Sequence, residues 1–227
     1  MLVRLLAFCA VLFFAYPAAA HDVPPMPDPQ AVIGIGYQGG SPHCMGNNIS
    51  KRRRNGIVFA STATHCVKEI KNQPVVTIDP VLGTAKMVSL YVLDLKGNDI
   101  APLEVMHVQG DWTVIAYRSD RNVHYYELAE KLPAYGEAVI ALGVVGDKNG
   151  HAHPIPTYAT WTGVSFEAPF GPVYFVDLSS LRGWSGGPVM YKGRQIAVRS
   201  IGPGPYASPF SGVAPTIPHP EIFGREK

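Results

Sequence analysis

Seven residues at 183–189, GWSGGPV, set one hydroxyl among three glycines and a proline. A serine alcohol becomes a nucleophile only when a base takes its proton, a third group orients that base, and N–H donors meet the developing oxyanion. Glycines give up folding entropy in return for backbone freedom. That freedom lets Gly183 and Ser185 aim their N–H groups at one point, while Gly186 and Gly187 turn the chain away with no Cβ in a substrate's path. The competing reading is a Gly-Pro turn ahead of the strand VMYKG, which would prevail if the chain offered no base. The stretch STATHCV at 61–67 offers one, setting His65 directly after a β-type run and beside Cys66.

These residues carry a resemblance. Thr62-Ala63-Thr64-His65-Cys66 is similar to the T-A-A-H-C of the trypsin-like serine proteases of the chymotrypsin fold, and Gly183 to Pro188 is similar to their G-D-S-G-G-P. That family's third catalytic residue opens a strand of the form D-hydrophobic-x-hydrophobic-hydrophobic between the two motifs. GDWTVIAY at 110–117 fits it and nominates Asp111 ahead of Asp94, Asp99 and Asp120. The order His–Asp–Ser is that of the chymotrypsin arrangement among the convergent triads. The likeness covers nearly all of the chain after residue 20 and lies nearer to bacterial, HtrA-like members than to zymogen-type digestive ones. It implies an all-β fold of two antiparallel barrels with the active site in the cleft between them. It also implies Ser185 as nucleophile, His65 as base, Asp111 as the group orienting it, and the N–H groups of Gly183 and Ser185 as the oxyanion hole.

The chain departs from the family at instructive places. Trp184 stands where zymogen-type members carry an acid that pairs with a newly released N-terminal amine. Gln30, with no Lys or Arg, precedes AVIGIG at 31–36, so no activation by terminal insertion is expected. Thr64 replaces a small alanine beside the histidine. Counting back from Ser185, Ser179 and Ser180 fall at the base of the family's primary pocket, and Ser200, Gly202 and Gly212 along its walls. An uncharged pocket base predicts an uncharged residue before the cleaved bond. Asp177 would reverse that reading if the loop were offset by two residues.

The elements that must position these groups read as short strands. NGIVFAST, PVVTI, MVSLYVLDL, PLEVMHV, WTVIAY, EAVIALGVV, TYATWTGVSF, PVYFVDL and QIAVRSI are rich in Val, Ile, Tyr and Thr and are separated by Gly, Pro and Asn, the pattern of a sandwich or barrel. A helix is predicted only as a turn after His65, a piece near HYYELAEKL at 124–132, and a stub at the C-terminus. The division into two barrels falls near 125–135, giving one barrel over about 31–130 and another over about 131–227.

Residues 1–20 read as a secretory signal peptide: a basic start, a short apolar run, and PAAA before the cut at Ala20. A proline-rich arm follows at 21–30, and the expected location is secreted or periplasmic. Without the leader the chain has 18 Lys and Arg against 17 Asp and Glu, a near-neutral balance that gives no reason to expect nucleic acid or a membrane surface as partner. Cys9 leaves with the leader, so Cys44 and Cys66 remain, and two cysteines in an exported chain most simply form one disulfide.

Several signals carry less. Gly34, Gly36 and Gly39 spell a dinucleotide fingerprint, yet no βαβ pattern follows, and no cofactor is expected. His151 and His153 have no third ligand to suggest a metal. Lys51, Arg52, Arg53 and Arg54 form a basic turn, read as a solvated hairpin tip with polyanion contact as the alternative, and Asn48-Ile49-Ser50 is a glycosylation sequon. The expected partners are protein or peptide substrates. The competing functions are a serine esterase using the same three residues and a catalytically silent binding module on the same fold.

Overall fold

The computed structural model describes residues 25–67, 75–78, 85–88, 90–147, 151–168, 171–177, 184–201 and 210–216. The expected signal peptide and the C-terminal stub lie outside them. Six antiparallel strands close the first barrel in the order β1 (Val32–Tyr37), β2 (Cys44–Asn48), β3 (Ile57–Ala63), β8 (Trp112–Arg118), β7 (Asp99–Gln109) and β6 (Leu90–Leu93), with β1 returning to β6. Between them β4 (Val75–Ile78) and β5 (Ala85–Val88) form a separate hairpin. The second barrel closes in the order β10 (Ala152–Ala168), β11 (Gly171–Asp177), β14 (Phe210–Pro215), β13 (Arg194–Ile201), β12 (Pro188–Tyr191) and β9 (Ala138–Gly146). The protein is therefore all-β, as the strand pattern predicts, with the two barrels that the family resemblance implies.

Strand alternation explains how one segment serves two cores. Successive side chains of a strand point to opposite faces. Along β8, Ile115 and Tyr117 enter the interior of the first barrel with Ile33, Ile35, Val58 and Val92. The intervening Trp112, Val114 and Ala116 face outward, where they pack with Phe59 against Val173, Val198 and Ala214 of the second barrel. A second seam joins Ala31, Val32 and Met45 to Leu142 and Met190, while the second barrel fills itself with Val139, Trp161, Val176, Ile196 and Val213.

A polar network crosses the same interface. Asn47 donates its side-chain amide to Gln195 Oε1, Gln195 Nε2 donates to Ser61 Oγ at 3.0 Å, and Trp112 Nε1 donates to the same hydroxyl at 2.9 Å. All four residues are fully buried.

The segment HYYELAEKL is the main correction. Its Glu, Ala, Leu and Lys suit a helix, but residues 124–132 run without one. The Tyr126 N–H donates to Asn48 O at 2.9 Å, Gln195 N–H donates to Glu127 O at 2.8 Å, and Ala129 N–H donates to Gln195 O at 2.8 Å. The connection is thus stitched to β2 on one side and to β13 on the other, and these bonds take the backbone groups that a helix would have used. Residues 64–66 do form the expected short helical turn, of the 3-10 type.

Removing the shared amide tests the network. Gln195→Ala leaves Asn47 and Ser61 short of partners in a dry seam, and is expected to lower unfolding free energy by about 2 kcal/mol. Urea denaturation should show the loss as a lower midpoint at an unchanged slope.

Candidate active site

His65 sits in the turn Thr64–Cys66 directly after β3. Cys66 forms a disulfide with Cys44, the first residue of β2, at a Cα separation of 6.0 Å. Asp111 lies in the tight turn between β7 and β8 and is fully buried. Thr64 clamps the two segments together: its N–H donates to Asp111 O at 3.0 Å, and its hydroxyl donates to Gly110 O at 2.8 Å and lies 2.9 Å from the Thr113 hydroxyl. The Thr-for-Ala departure beside the histidine therefore has a structural role that no spacing could show.

The Asp111 carboxylate gathers donors from three groups. Oδ1 accepts the His65 backbone N–H at 3.0 Å, both oxygens face His65 Nδ1 at 2.9 and 3.1 Å, and Oδ2 accepts the Ser200 hydroxyl. Ionised carboxylate oxygens only accept, so the imidazole proton belongs on Nδ1 and the basic lone pair of the neutral ring on Nε2. The His65 side chain is 30% exposed, enough to reach solvent or a ligand. Ser200, expected in the pocket wall, is buried and turns its hydroxyl to Asp111. Counting along a strand locates a residue but does not say which way its side chain points.

Ser185 is partly exposed and is held by its backbone. Its carbonyl accepts the Met45 N–H at 2.7 Å. Met45 adjoins Cys44, whose disulfide leads to Cys66 and so to His65. The serine loop and the histidine turn are thus tied to one dipeptide of β2. Gly186 N–H donates to Arg199 O at 2.8 Å and Gly187 N–H to Trp184 O at 3.0 Å. Among the described residues the Ser185 N–H meets no acceptor, which suits it to a developing oxyanion. Gly183, Ser179, Ser180 and Gly202 lie outside the described residues. Gly212 is buried in β14, paired with Phe175 and Ile201.

Gly186 also serves a purpose within the fold. Gly186 has φ +81°, and a Cβ there would stand 2.0 Å from Met45 O and 2.4 Å from Thr62 Oγ1. What the missing side chain clears is the backbone of the first barrel, which lies opposite the loop.

Cys44, His65 and Cys66 place two sulfurs and a ring nitrogen within 4.8 Å of one another, but the disulfide consumes both thiolates a metal would need. His151 and His153 both lie against Asp147, at 3.5 and 3.2 Å. Within the basic turn, Arg52 Nε donates to Ser119 O at 2.7 Å and the Arg53 guanidinium stacks 4.5 Å over Phe59. Lys51 and Arg54 are exposed.

No family model matches the chain, and no curated protein matches it. Solved structures do. The MamO protease domain of Magnetospirillum magneticum in its apo form aligns at a TM-score of 0.54 with 17% identity, over 82% of this chain and 92% of that one. Deg5 aligns at 0.54 with 16% identity, over 82% and 83%. An inactive serine-to-alanine form of Rv3671c from M. tuberculosis H37Rv aligns at 0.54 with 16% identity, over 86% and 91%. The chain shares the double-barrel, chymotrypsin-like fold of these protease domains.

Two substitutions probe how the site is held. Gly186→Ala forces a β-carbon against a backbone carbonyl at positive φ, and is expected to cost about 3 kcal/mol or more, read by thermal or urea unfolding. Replacing Cys44 and Cys66 together with serine opens a link of sequence separation 22 and is expected to cost about 3 kcal/mol on the chain-entropy model, read the same way.

Proposed function

We propose that this protein is an exported serine endopeptidase that cleaves peptide bonds through an acyl-enzyme formed on Ser185. The observation that carries the reading is the His65 ring, its Nδ1 2.9 Å from the buried Asp111 carboxylate, in a turn tied through Cys66, Cys44 and Met45 to the Ser185 backbone. In the proposed reaction the Ser185 hydroxyl attacks the scissile carbonyl as His65 Nε2 takes its proton. The carbonyl oxygen becomes an oxyanion that receives the N–H groups of Ser185 and Gly183. Collapse of the adduct expels the amine, which leaves with the proton from His65, and water then repeats the sequence to release the acid. Asp111 holds the tautomer and stabilises the imidazolium formed in both steps.

The protease domains that share the fold support this reading, as does the presence of all three residue types in one chain. The leader-like pattern of residues 1–20 supports export to a secreted or periplasmic location. The neutral pocket base inferred at Ser179 and Ser180 supports cleavage after an uncharged residue. Polyanion contact at the basic turn has less support, because Arg52 and Arg53 are engaged within the protein.

A fluorophosphonate probe tests the chemistry. The wild type is expected to label at one site and to cleave peptides in a library. Ser185→Ala should abolish labelling, and His65→Ala should lower kcat by a factor on the order of 10⁴ or more. A folded wild type that resists the probe would overturn the proposal in favour of a binding module. Labelling with ester turnover but no peptide cleavage would turn it toward an esterase.

A further inference from the structure

We propose that Trp184 is a positioning residue, a wedge that holds the Ser185 loop in its working shape within the chain as folded. This inference rests on the reading of Ser185 as the nucleophile and extends it to what keeps that nucleophile in place.

The loop needs an outside anchor. Two glycines follow Ser185, and a glycine pair has more conformations to lose than any other. An oxyanion donor contributes to rate only when it is already in place before the charge develops. Trp184 opens the turn, and its carbonyl closes it by accepting the Gly187 N–H. Whatever fixes the indole therefore fixes the turn.

Three residues from two strands, β9 and β13, grip that indole. Its Nε1–H donates to Val144 O at 2.6 Å. Its ring system lies against Gly143 of β9, where a Cβ would stand 2.2 Å from Cδ2 and Cε2 and 2.4 Å from Cε3. Only glycine leaves room for the ring at that position. The Arg199 guanidinium sits over the ring, 5.0 Å from its centre. Arg199 also belongs to the loop's backbone lattice, since its N–H donates to Gly187 O at 2.9 Å and its carbonyl accepts the Gly186 N–H.

Both side chains are buried, Trp184 at 6% and Arg199 at 2% exposure. Burial pushes the Arg199 guanidinium down to about 10, so it stays charged at neutral pH and the cation–π contact persists. None of these contacts uses a chain terminus. Ala31, which opens the AVIGIG segment, stays within the first barrel's end, its N–H bonded to Asp28 O at 3.2 Å. Asp28 in turn meets His124 Nδ1 at 2.5 Å, and its carbonyl accepts the Tyr126 hydroxyl at 2.5 Å.

The test combines Trp184→Ala, Trp184→Phe, Gly143→Ala and the Trp184→Ala/Gly143→Ala double variant. Peptide kinetics are read alongside amide exchange at Gly186 and Gly187. Trp184→Ala is expected to lower kcat on the order of 100-fold, the loss typical of one misplaced oxyanion donor, with KM changed less than about threefold. Trp184→Phe keeps the ring and the stacking and loses one hydrogen bond, for a loss of roughly three- to tenfold. Gly143→Ala should be severe in the wild type and nearly silent in the Trp184→Ala background, because the clash needs the indole.

Exchange at Gly186 and Gly187 should accelerate about tenfold or more in Trp184→Ala while β3 amides hold. A folded Trp184→Ala with kcat within about threefold of wild type, or an undiminished Gly143→Ala loss in the double variant, would overturn the proposal. If Trp184→Ala does not fold, Trp184→Phe decides: unchanged kcat and unchanged exchange at the two glycines would overturn it. A wild type that neither labels nor cleaves would sink the proposed function, yet the exchange measurement would still report on the wedge.

Discussion

The backbone of Ser185 and Gly186 lies directly on the backbone of Met45, and the arrangement of the site follows from that contact. One hydrogen bond, from Met45 N–H to Ser185 O, joins the barrels at the serine loop. It can form only because Gly186 presents no side chain to Met45 O. From Met45 the path to His65 runs through covalent bonds alone, by way of Cys44 and Cys66. The histidine turn and the serine loop, from separate barrels, are thereby referenced to one short piece of β2, and error in their relative placement does not accumulate over long stretches of chain.

Asp111 shows how a buried charge is made tolerable. A carboxylate removed from water is costly unless donors surround it. The backbone N–H and ring of His65 and the Ser200 hydroxyl supply them, while Thr64 secures the turn from which the carboxylate hangs. The donors that make the charge tolerable also hold the imidazole in place.

Much of this was legible in the chain itself, in proportion to how local each signal was. Strands such as WTVIAY and QIAVRSI announce themselves by branched and aromatic residues. The first two strands, VIGIGY and CMGNN, are weak signals because glycine and asparagine fill positions that strands usually give to larger side chains. The stretch at 124–132 reads as helix because its composition is judged alone, whereas its backbone partners are Asn48 and Gln195, far away in sequence. His65 and Asp111 are legible through their flanking residues, and the structure brings them together. The direction of the Ser200 hydroxyl and the fit of Trp184 on Gly143 depend on strand register and on contacts between distant segments, which spacing does not encode.

The buried chain of Asn47, Gln195, Ser61 and Trp112 has a mechanical consequence. Rocking the barrels apart like a clamshell would strip these amides and hydroxyls of their partners before water could reach them. The connecting segment at 126–129, bonded to both halves, gives little slack for such a swing. The two barrels are therefore braced against each other as a stiff pair.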